Sequence, residues 1–113
     1  MTGDITNPAD IEDEMDRLVV RATEESAKVL ALGKHEAEFK LAAEKLYADA
    51  FLKFRVDEGK SVAESEQRAK LAAREMSHAY EETKNQRQDR RTIVSVIDRQ
   101  LTVLMSKMRE ARP

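Results

Sequence analysis

Cysteine and tryptophan are absent from this sequence, and aromatic residues make up only 4% of its 113 positions. Without cysteine, the chain can form neither disulfide bonds nor thiolate metal sites, and it is compatible with a reducing compartment. With so few aromatic side chains, it cannot fill the thick core of a large globular domain. It can still build a thin seam of aliphatic and alanine side chains between helices, which needs no aromatic bulk.

Long hydrophobic runs are also missing, and glycine and proline are scarce. The apolar runs are a few residues long, far short of the roughly 20 that a membrane-spanning helix needs. Residues 1–4 are polar and include an acidic side chain, unlike a signal peptide, so we expect a cytoplasmic protein that does not act at a membrane. Two of the 3 glycines and both prolines lie at ends or turns, which leaves the intervening stretches free to be helical.

The sequence is rich in charge and in helical periodicity. Charged residues make up 37% and hydrophobic residues 41%, with a net charge of only -2, so the composition is not that of a disordered chain. We expect a flexible tail over residues 1–7 and one domain over residues 8–112. Asn7 is a favoured N-cap and Pro8 suits the first helical position. An apolar stripe then recurs at steps of three and four, formed by Ile11, Met15, Leu18, Ala22, Val29, Leu32, Phe39, Ala43, Leu46 and Ala50.

Residues 57–61 carry the clearest reversal signal in the chain. Gly59 can adopt the left-handed conformation that ends a helix. Ser61 is a good N-cap, and Glu64 follows it at the spacing of a capping box. A second helix is predicted from about Val62 to Ala111. Its stripe consists of Val62, Ala69, Ala73, Met76, Tyr80, Thr83, Val94, Ile97, Leu101, Leu104 and Met108, widened by Ile93 and Val103.

Folding the chain at Gly59 brings apolar positions opposite apolar positions. Leu18 then lies beside Leu101, and Ala22 beside Ile97. The predicted fold class is therefore all-α, a long antiparallel helical hairpin resembling a coiled coil. Two such helices leave much of the stripe exposed, so we expect two hairpins to dimerise into a four-helix bundle. The alternative is a compact monomeric four-helix bundle in which the helices break near Gly33 and residues 85–89.

A basic, polar stretch without apolar residues fills residues 84–91. Its cations are Lys84, Arg87, Arg90 and Arg91, which we call the basic belt. Such a group can bind a protein partner or follow the phosphates of a nucleic acid. The alternative interpretation is a solvated layer neutralised by Glu24, Glu25 and Asp89. The acidic isoelectric point, near 5.8, and the lack of an aromatic residue to stack bases both weaken the nucleic-acid hypothesis.

The aromatic residues concentrate near the reversal. Tyr47, Phe51 and Phe54 follow one another at helical spacing. Side chains at this spacing commonly pack the end of a hairpin, and those that stay exposed can anchor a partner protein. We call these three residues the aromatic tip.

One pattern is compatible with metal binding. Glu75 and His78 form a Glu-x-x-His pair, and the hairpin register places Glu44 opposite Glu75. Ferritin-like di-iron bundles use such pairs with a glutamate from a facing helix. The motif is short and common in charged helices, so surface charge beside the seam is the favoured interpretation. We therefore predict no metal and no other cofactor.

Three segments carry a pattern-level resemblance over most of the chain. They are Tyr47-Ala48-Asp49-Ala50-Phe51, Gly59-Lys60-Ser61-Val62-Ala63-Glu64, and the charged, alanine-rich second helix ending Met108-Arg109-Glu110-Ala111. In these features the chain resembles the small all-helical accessory proteins of phage genomes, which are often encoded near replication and recombination genes. The resemblance implies no catalytic residue.

The sequence as a whole predicts a binding protein and not an enzyme. The primary hypothesis is a homodimeric accessory factor that binds and modulates a host or phage protein. The first alternative is a nucleic-acid-binding factor of replication or recombination that uses the basic belt. The second is a ferritin-like di-iron carboxylate protein.

Overall fold

The computed structural model describes residues 7–111, which form two long α-helices joined by a short π-helical turn. Helix α1 spans Pro8–Leu52, the π-helix spans Lys53–Asp57, and helix α2 spans Val62–Ala111. No strand occurs within the described residues. The predicted all-α helical hairpin is therefore confirmed at this level. The predicted flexible tail lies, apart from Asn7, outside the described part of the chain.

Both helices begin where the capping residues predicted. The side-chain oxygen of Asn7 accepts a hydrogen bond from the backbone N–H of Ala9 at 2.9 Å. At α2, the hydroxyl oxygen of Ser61 accepts one from the N–H of Glu64 at 3.1 Å. The Glu64 carboxylate does not complete the capping box. It forms an ion pair with Arg68, four residues further along α2, at 3.3 Å. Each N-cap side chain accepts a hydrogen bond from a backbone N–H that has no acceptor within the helix. This contact fixes the residue at which the helix begins.

The end of α1 is wider than an α-helical turn, a feature that was not predicted. The N–H of Glu58 donates to the carbonyl of Lys53 at 3.1 Å, and the N–H of Lys60 donates to that of Phe54 at 2.9 Å. Gly59 has a φ of 65°, the left-handed conformation expected for it. The guanidinium of Arg55 donates to the Lys60 carbonyl at 3.2 Å and closes the turn.

The chain divides into two compact units. One combines the residues up to Leu30 with those from Gln88 onward, and the other is Ala31–Arg87. In the first unit, the helices bury a cluster of large aliphatic side chains. These are Ile11, Leu18, Ile97, Leu104 and Met108, with Met15, Ala22, Ile93, Leu101 and Ala111 packed against them.

The second unit has a seam of small side chains. Its buried residues are Ser65, Ala69, Ala73 and Thr83. The Thr83 hydroxyl donates to the carbonyl of Ala79 at 2.8 Å, whereas the buried Ser65 hydroxyl has no hydrogen-bond partner. Small side chains let two helices approach closely, but they bury little apolar area.

The alternative with four shorter helices is wrong, because α1 continues through Gly33 and α2 continues through residues 85–89. Three residues assigned to the seam are also misplaced. Leu46, Val62 and Val103 are 41%, 50% and 55% exposed. Within the described residues, neither helix has a segment apolar enough to cross a membrane.

Candidate functional site

Two of the four basic-belt residues form ion pairs with α1. In the second unit, Arg87 binds the Glu36 carboxylate through two nitrogens: Nε pairs with Oε2, and Nη2 donates to Oε1 at 3.3 Å. In the first unit, Arg90 Nη1 donates to both oxygens of Glu25, at 3.4 and 3.2 Å. In each unit, an ion pair therefore joins α1 to α2.

Glu25 is the most enclosed carboxylate among these contacts. It is 7% exposed and also accepts a hydrogen bond from Lys28 at 3.2 Å. Burial by itself raises the pKa of Glu25, but the hydrogen bond from Lys28 and the charge of Arg90 outweigh it, so the pKa lies below the ordinary glutamate value. Glu25 is therefore a charged group inside the seam, held there by two cations.

In the Glu36–Arg87 pair, too, the pKa of the glutamate lies below its ordinary value. The hydrogen bond from Arg87 lowers the pKa of Glu36, against the opposing effect of burial, and the same bond raises the pKa of Arg87. The side chain of Arg87 is 23% exposed and that of Glu36 is 14% exposed. A two-point guanidinium–carboxylate contact also fixes orientation, so this pair helps to set the helix register.

The other two belt cations are more available to a partner. Lys84 is half-buried, with Nζ 6.0 Å from the centroid of the Tyr80 ring, and Arg91 is exposed. A phosphate approaching Arg87 or Arg90 would compete with a carboxylate already in contact. This arrangement favours a structural role for those two arginines, while binding of a partner by the belt stays a prediction.

The aromatic tip splits into two contacts. Tyr47 and Phe51 are stacked, with ring centroids 6.4 Å apart and planes inclined by 10°. Phe54 lies near two cations, with Arg68 at 5.1 Å and Lys53 at 5.4 Å from its ring centroid. All three aromatic residues are half-buried. The rings therefore pack the end of the hairpin while keeping part of their surface exposed.

The second unit contains an open groove of about 660 Å³ between α1 and α2. Its sides include Glu44 and Tyr47 from α1 and Arg74 and His78 from α2. Glu75, the third residue of the metal hypothesis, does not line this groove, and His78 lies 3.6 Å from Glu82 instead. Within residues 7–111, no three His, Cys, Asp or Glu side chains are grouped so that they could hold a metal ion.

The first unit contains a smaller groove of about 380 Å³. Leu18 and Leu104 of the buried cluster form part of it, together with the exposed Val96 and Val103. Glu14 and Arg99 lie at its sides, and Glu14 is already paired with Arg17. The groove is an exposed extension of the hydrophobic cluster.

Large apolar side chains are exposed in both units, and sequence analysis missed most of them. Twelve large hydrophobic residues among those described are exposed. In the first unit they are Val19, Val20, Leu30, Val96, Val103 and Met105; in the second they are Leu41, Leu46, Leu52, Val56, Val62 and Leu71. Contiguous exposed apolar surface marks interaction sites in soluble proteins.

Comparison with known proteins finds no matching family model, no similar curated protein and no similar solved structure. The resemblance to phage accessory proteins therefore stays a prediction.

Proposed function

We propose that this chain is a non-enzymatic interaction protein, which forms a homodimer of four helices and binds another protein. The observation that carries the proposal is the distribution of apolar side chains. Seven hydrophobic residues are buried within the described chain, two of them alanines, while twelve large ones are exposed. A stable monomer has little reason to keep so many large apolar side chains in water, whereas association would bury them.

The charged side chains support a binding role and not a catalytic one. Glu25, Glu36, Arg87 and Arg90 are engaged in ion pairs between the helices. Engaged in this way, they position the helices and present the outer faces at a fixed register. We place the protein in the cytoplasm, and the resemblance to phage accessory proteins is our reason for proposing a host or phage protein as the partner.

The stacked Tyr47–Phe51 pair is the surface we assign to that partner. It is stacked and half-buried, and aromatic side chains are prominent among the few residues that dominate protein–protein binding energy. A photo-reactive phenylalanine analogue in place of Tyr47 or Phe51 tests this in the native host. Gln67, exposed on α2, provides the control position.

We expect the analogue at Tyr47 or Phe51 to form an adduct with one other protein, identifiable by mass spectrometry, and the control position to form none. Dimerisation is checked separately, by sedimentation equilibrium of the purified 12.9 kDa chain. Adducts that contain only this chain, from both tip positions, would contradict the proposed heterologous partner.

A further inference from the structure

In the second unit the fully buried side chains are small, while several large aliphatic side chains are exposed. Its buried residues are small, whereas Leu41 and Leu52 are 68% and 57% exposed. The side of α1 that faces α2 is occupied by other residues: Glu36 contacts Arg87, and Ala43 and Tyr47 line the groove between the helices. Leu41 and Leu52 therefore lie on the opposite, outer side of α1.

The outer side of α1 repeats its chemistry every eleven residues. Lys34, Ala37, Glu38 and Leu41 are followed, eleven positions on, by Lys45, Ala48, Asp49 and Leu52. Eleven residues are close to three helical turns, so the same residue types return to one face. All eight residues are exposed. We call this face the outer stripe; in the sequence of α1, Leu30 and Val19 continue the same spacing.

We propose that the outer stripe binds the outer stripe of a second copy of this chain, antiparallel, around a two-fold axis at Leu41. The inference rests on the proposed homodimer and names the face and the register that form it. In this arrangement, residues equally distant from Leu41, on either side of it, lie opposite each other. Leu41 meets the same residue of the other copy, and Leu52 meets the exposed Leu30.

Charge decides between the antiparallel and parallel arrangements. In the antiparallel one, Lys34 lies beside Asp49 of the other copy, and Lys45 beside Glu38. The two-fold axis repeats both pairs, so four complementary pairs flank the central leucines. A parallel arrangement in register would place lysine against lysine and acid against acid, which is unfavourable. The charges of the stripe therefore match a reversed copy and do not match a parallel copy in the same register.

The charged groups of the stripe are free to make these contacts. Lys34, Lys45 and Asp49 take part in no ion pair within the described residues. Glu38 lies 3.6 Å from His35, but both side chains are more than half exposed. Each lysine also lies opposite an alanine of the other copy, Lys34 opposite Ala48 and Lys45 opposite Ala37. A long side chain over a small one lets the two helices approach closely.

A charge-swap experiment tests the proposal. The acidic variant carries Lys34→Glu and Lys45→Glu, and the basic variant carries Glu38→Lys and Asp49→Lys. Each variant alone places like charges across the axis, whereas a mixture restores every opposite-charge pair. At low salt, where surface charges are least screened, we expect the dimer Kd of each variant alone to rise about tenfold or more. An equimolar mixture should recover wild-type affinity as a heterodimer.

The mixture also guards against a folding artefact, because a variant that failed to fold could not be rescued by its counterpart. Sedimentation equilibrium measures Kd, and circular dichroism verifies helicity. Unchanged self-association of both variants would overturn the proposal. Loss of self-association without recovery in the mixture would overturn it as well.

Thiol cross-linking tests the register, because the chain has no natural cysteine. With a short bismaleimide reagent, we expect Leu41→Cys to form covalent dimers. Leu52→Cys alone should not, since antiparallel pairing separates its two thiols by about 33 Å. A mixture of Leu52→Cys and Leu30→Cys should cross-link efficiently. Leu71→Cys, exposed on α2, is the control and should form no covalent dimer with the reagent.

Cross-linking of Leu52→Cys to itself would indicate a parallel dimer and overturn the proposal. A chain that is dimeric by sedimentation but fails to cross-link at Leu41→Cys would also overturn it, while leaving the proposed homodimer intact. A chain that is monomeric at every concentration would contradict both. The heterologous partner is tested independently, by the adducts formed at Tyr47 or Phe51.

Discussion

At the scale of single residues, the charged groups of the seam govern how the fold responds to acid. Glu25 and Glu36 have pKa values below the ordinary glutamate range in the folded chain. Around pH 4, the folded state therefore binds fewer protons than the unfolded state does. Their stabilising contribution is complete above the unfolded pKa, about 4.3, and is lost as the pH falls through the lower folded value.

We predict that thermal stability falls as the pH is lowered below about 5, and that Glu25→Gln combined with Glu36→Gln makes this dependence shallower. The double variant is expected to melt at a lower temperature than the wild type at pH 7, because Arg87 and Arg90 lose their charged partners. The two melting curves should converge towards pH 3. Thermal denaturation followed by circular dichroism between pH 7 and pH 3 measures this.

Glu66→Gln is the matched control for that experiment. Glu66 is exposed on α2 and takes part in no ion pair within the described residues. Its substitution should leave the pH dependence of the melting temperature unchanged. If the double variant and the control respond to pH in the same way, the seam carboxylates are not the groups that make the fold sensitive to acid.

At the scale of helices and turns, adding a side chain should have opposite effects on stability at the two interior glycines, Gly33 and Gly59. Gly59 has a φ of 65° in the turn, and a Cβ there would meet no atom within 4 Å. The cost of a side chain at Gly59 is therefore backbone strain alone. Gly33 is inside α1, and its Cβ would lie 3.6 Å from Cδ of Arg87, an ordinary van der Waals distance. A side chain at Gly33 meets no clash and favours the helix.

We predict that Gly59→Ala destabilises the fold by about 1–2 kcal/mol, because an L-residue with a side chain is disfavoured in the left-handed conformation. Gly33→Ala should stabilise it by about 0.5–1 kcal/mol, because alanine is the better helix former. Urea denaturation measures both values. Gly59→Asn is the control and should cost less than Gly59→Ala, since asparagine tolerates this conformation. A stabilising Gly59→Ala would show that the turn does not need its observed geometry.

Local signals made the helix limits predictable. Asn7, Pro8 and Ser61 act through contacts within a few residues, so sequence alone placed the starts of α1 and α2 correctly. The same reasoning could not find the π-helix, whose wide hydrogen bonds compete with α-helical ones of similar energy. It also treated Leu46 and Val103 as seam residues, because helical spacing counts apolar positions without showing which of them a neighbouring helix covers.

The candidate site was predictable only in part, for a related reason. Folding the chain at Gly59 correctly placed Glu25 near the basic stretch, but the predicted stripe of α1 included neither Glu25 nor Glu36. They are acceptors for Arg90 and Arg87 across the seam. A contact between helices depends on their register, which no pattern within one helix reveals. The eleven-residue repeat was present in the sequence, but the exposure of Leu41 and Leu52 is what distinguishes it from a core pattern.

At the scale of the whole molecule, the two units differ in what stabilises them. The first buries Ile11, Leu18 and Ile97 almost completely, whereas the residues buried in the second are small. Burial of a large aliphatic side chain contributes about 1.5–3 kcal/mol, so the first unit has the larger hydrophobic stabilisation within one chain. Opening of the backbone to solvent should therefore cost less free energy in the second unit.

We predict that hydrogen exchange of the dilute, monomeric chain is slower in residues 11–25 and 93–108 than in residues 34–52 and 65–83. Raising the concentration into the dimeric range should increase protection mainly in residues 34–52, because the outer stripe is then covered by the second copy. Protection in residues 11–25 should change little. Exchange followed by mass spectrometry, at concentrations well below and well above the dimer Kd, measures both effects.

The acidic variant, Lys34→Glu with Lys45→Glu, separates dimerisation from other effects of concentration. It retains the seam of the second unit but places like charges across the proposed axis. Its exchange in residues 34–52 should therefore be fast at both concentrations. If the wild-type chain instead gains protection around Val96 and Val103, the apolar groove of the first unit forms the dimer. The exposed leucines of α1 would then remain available to a different protein, so the same measurement decides which apolar surface the chain uses for itself.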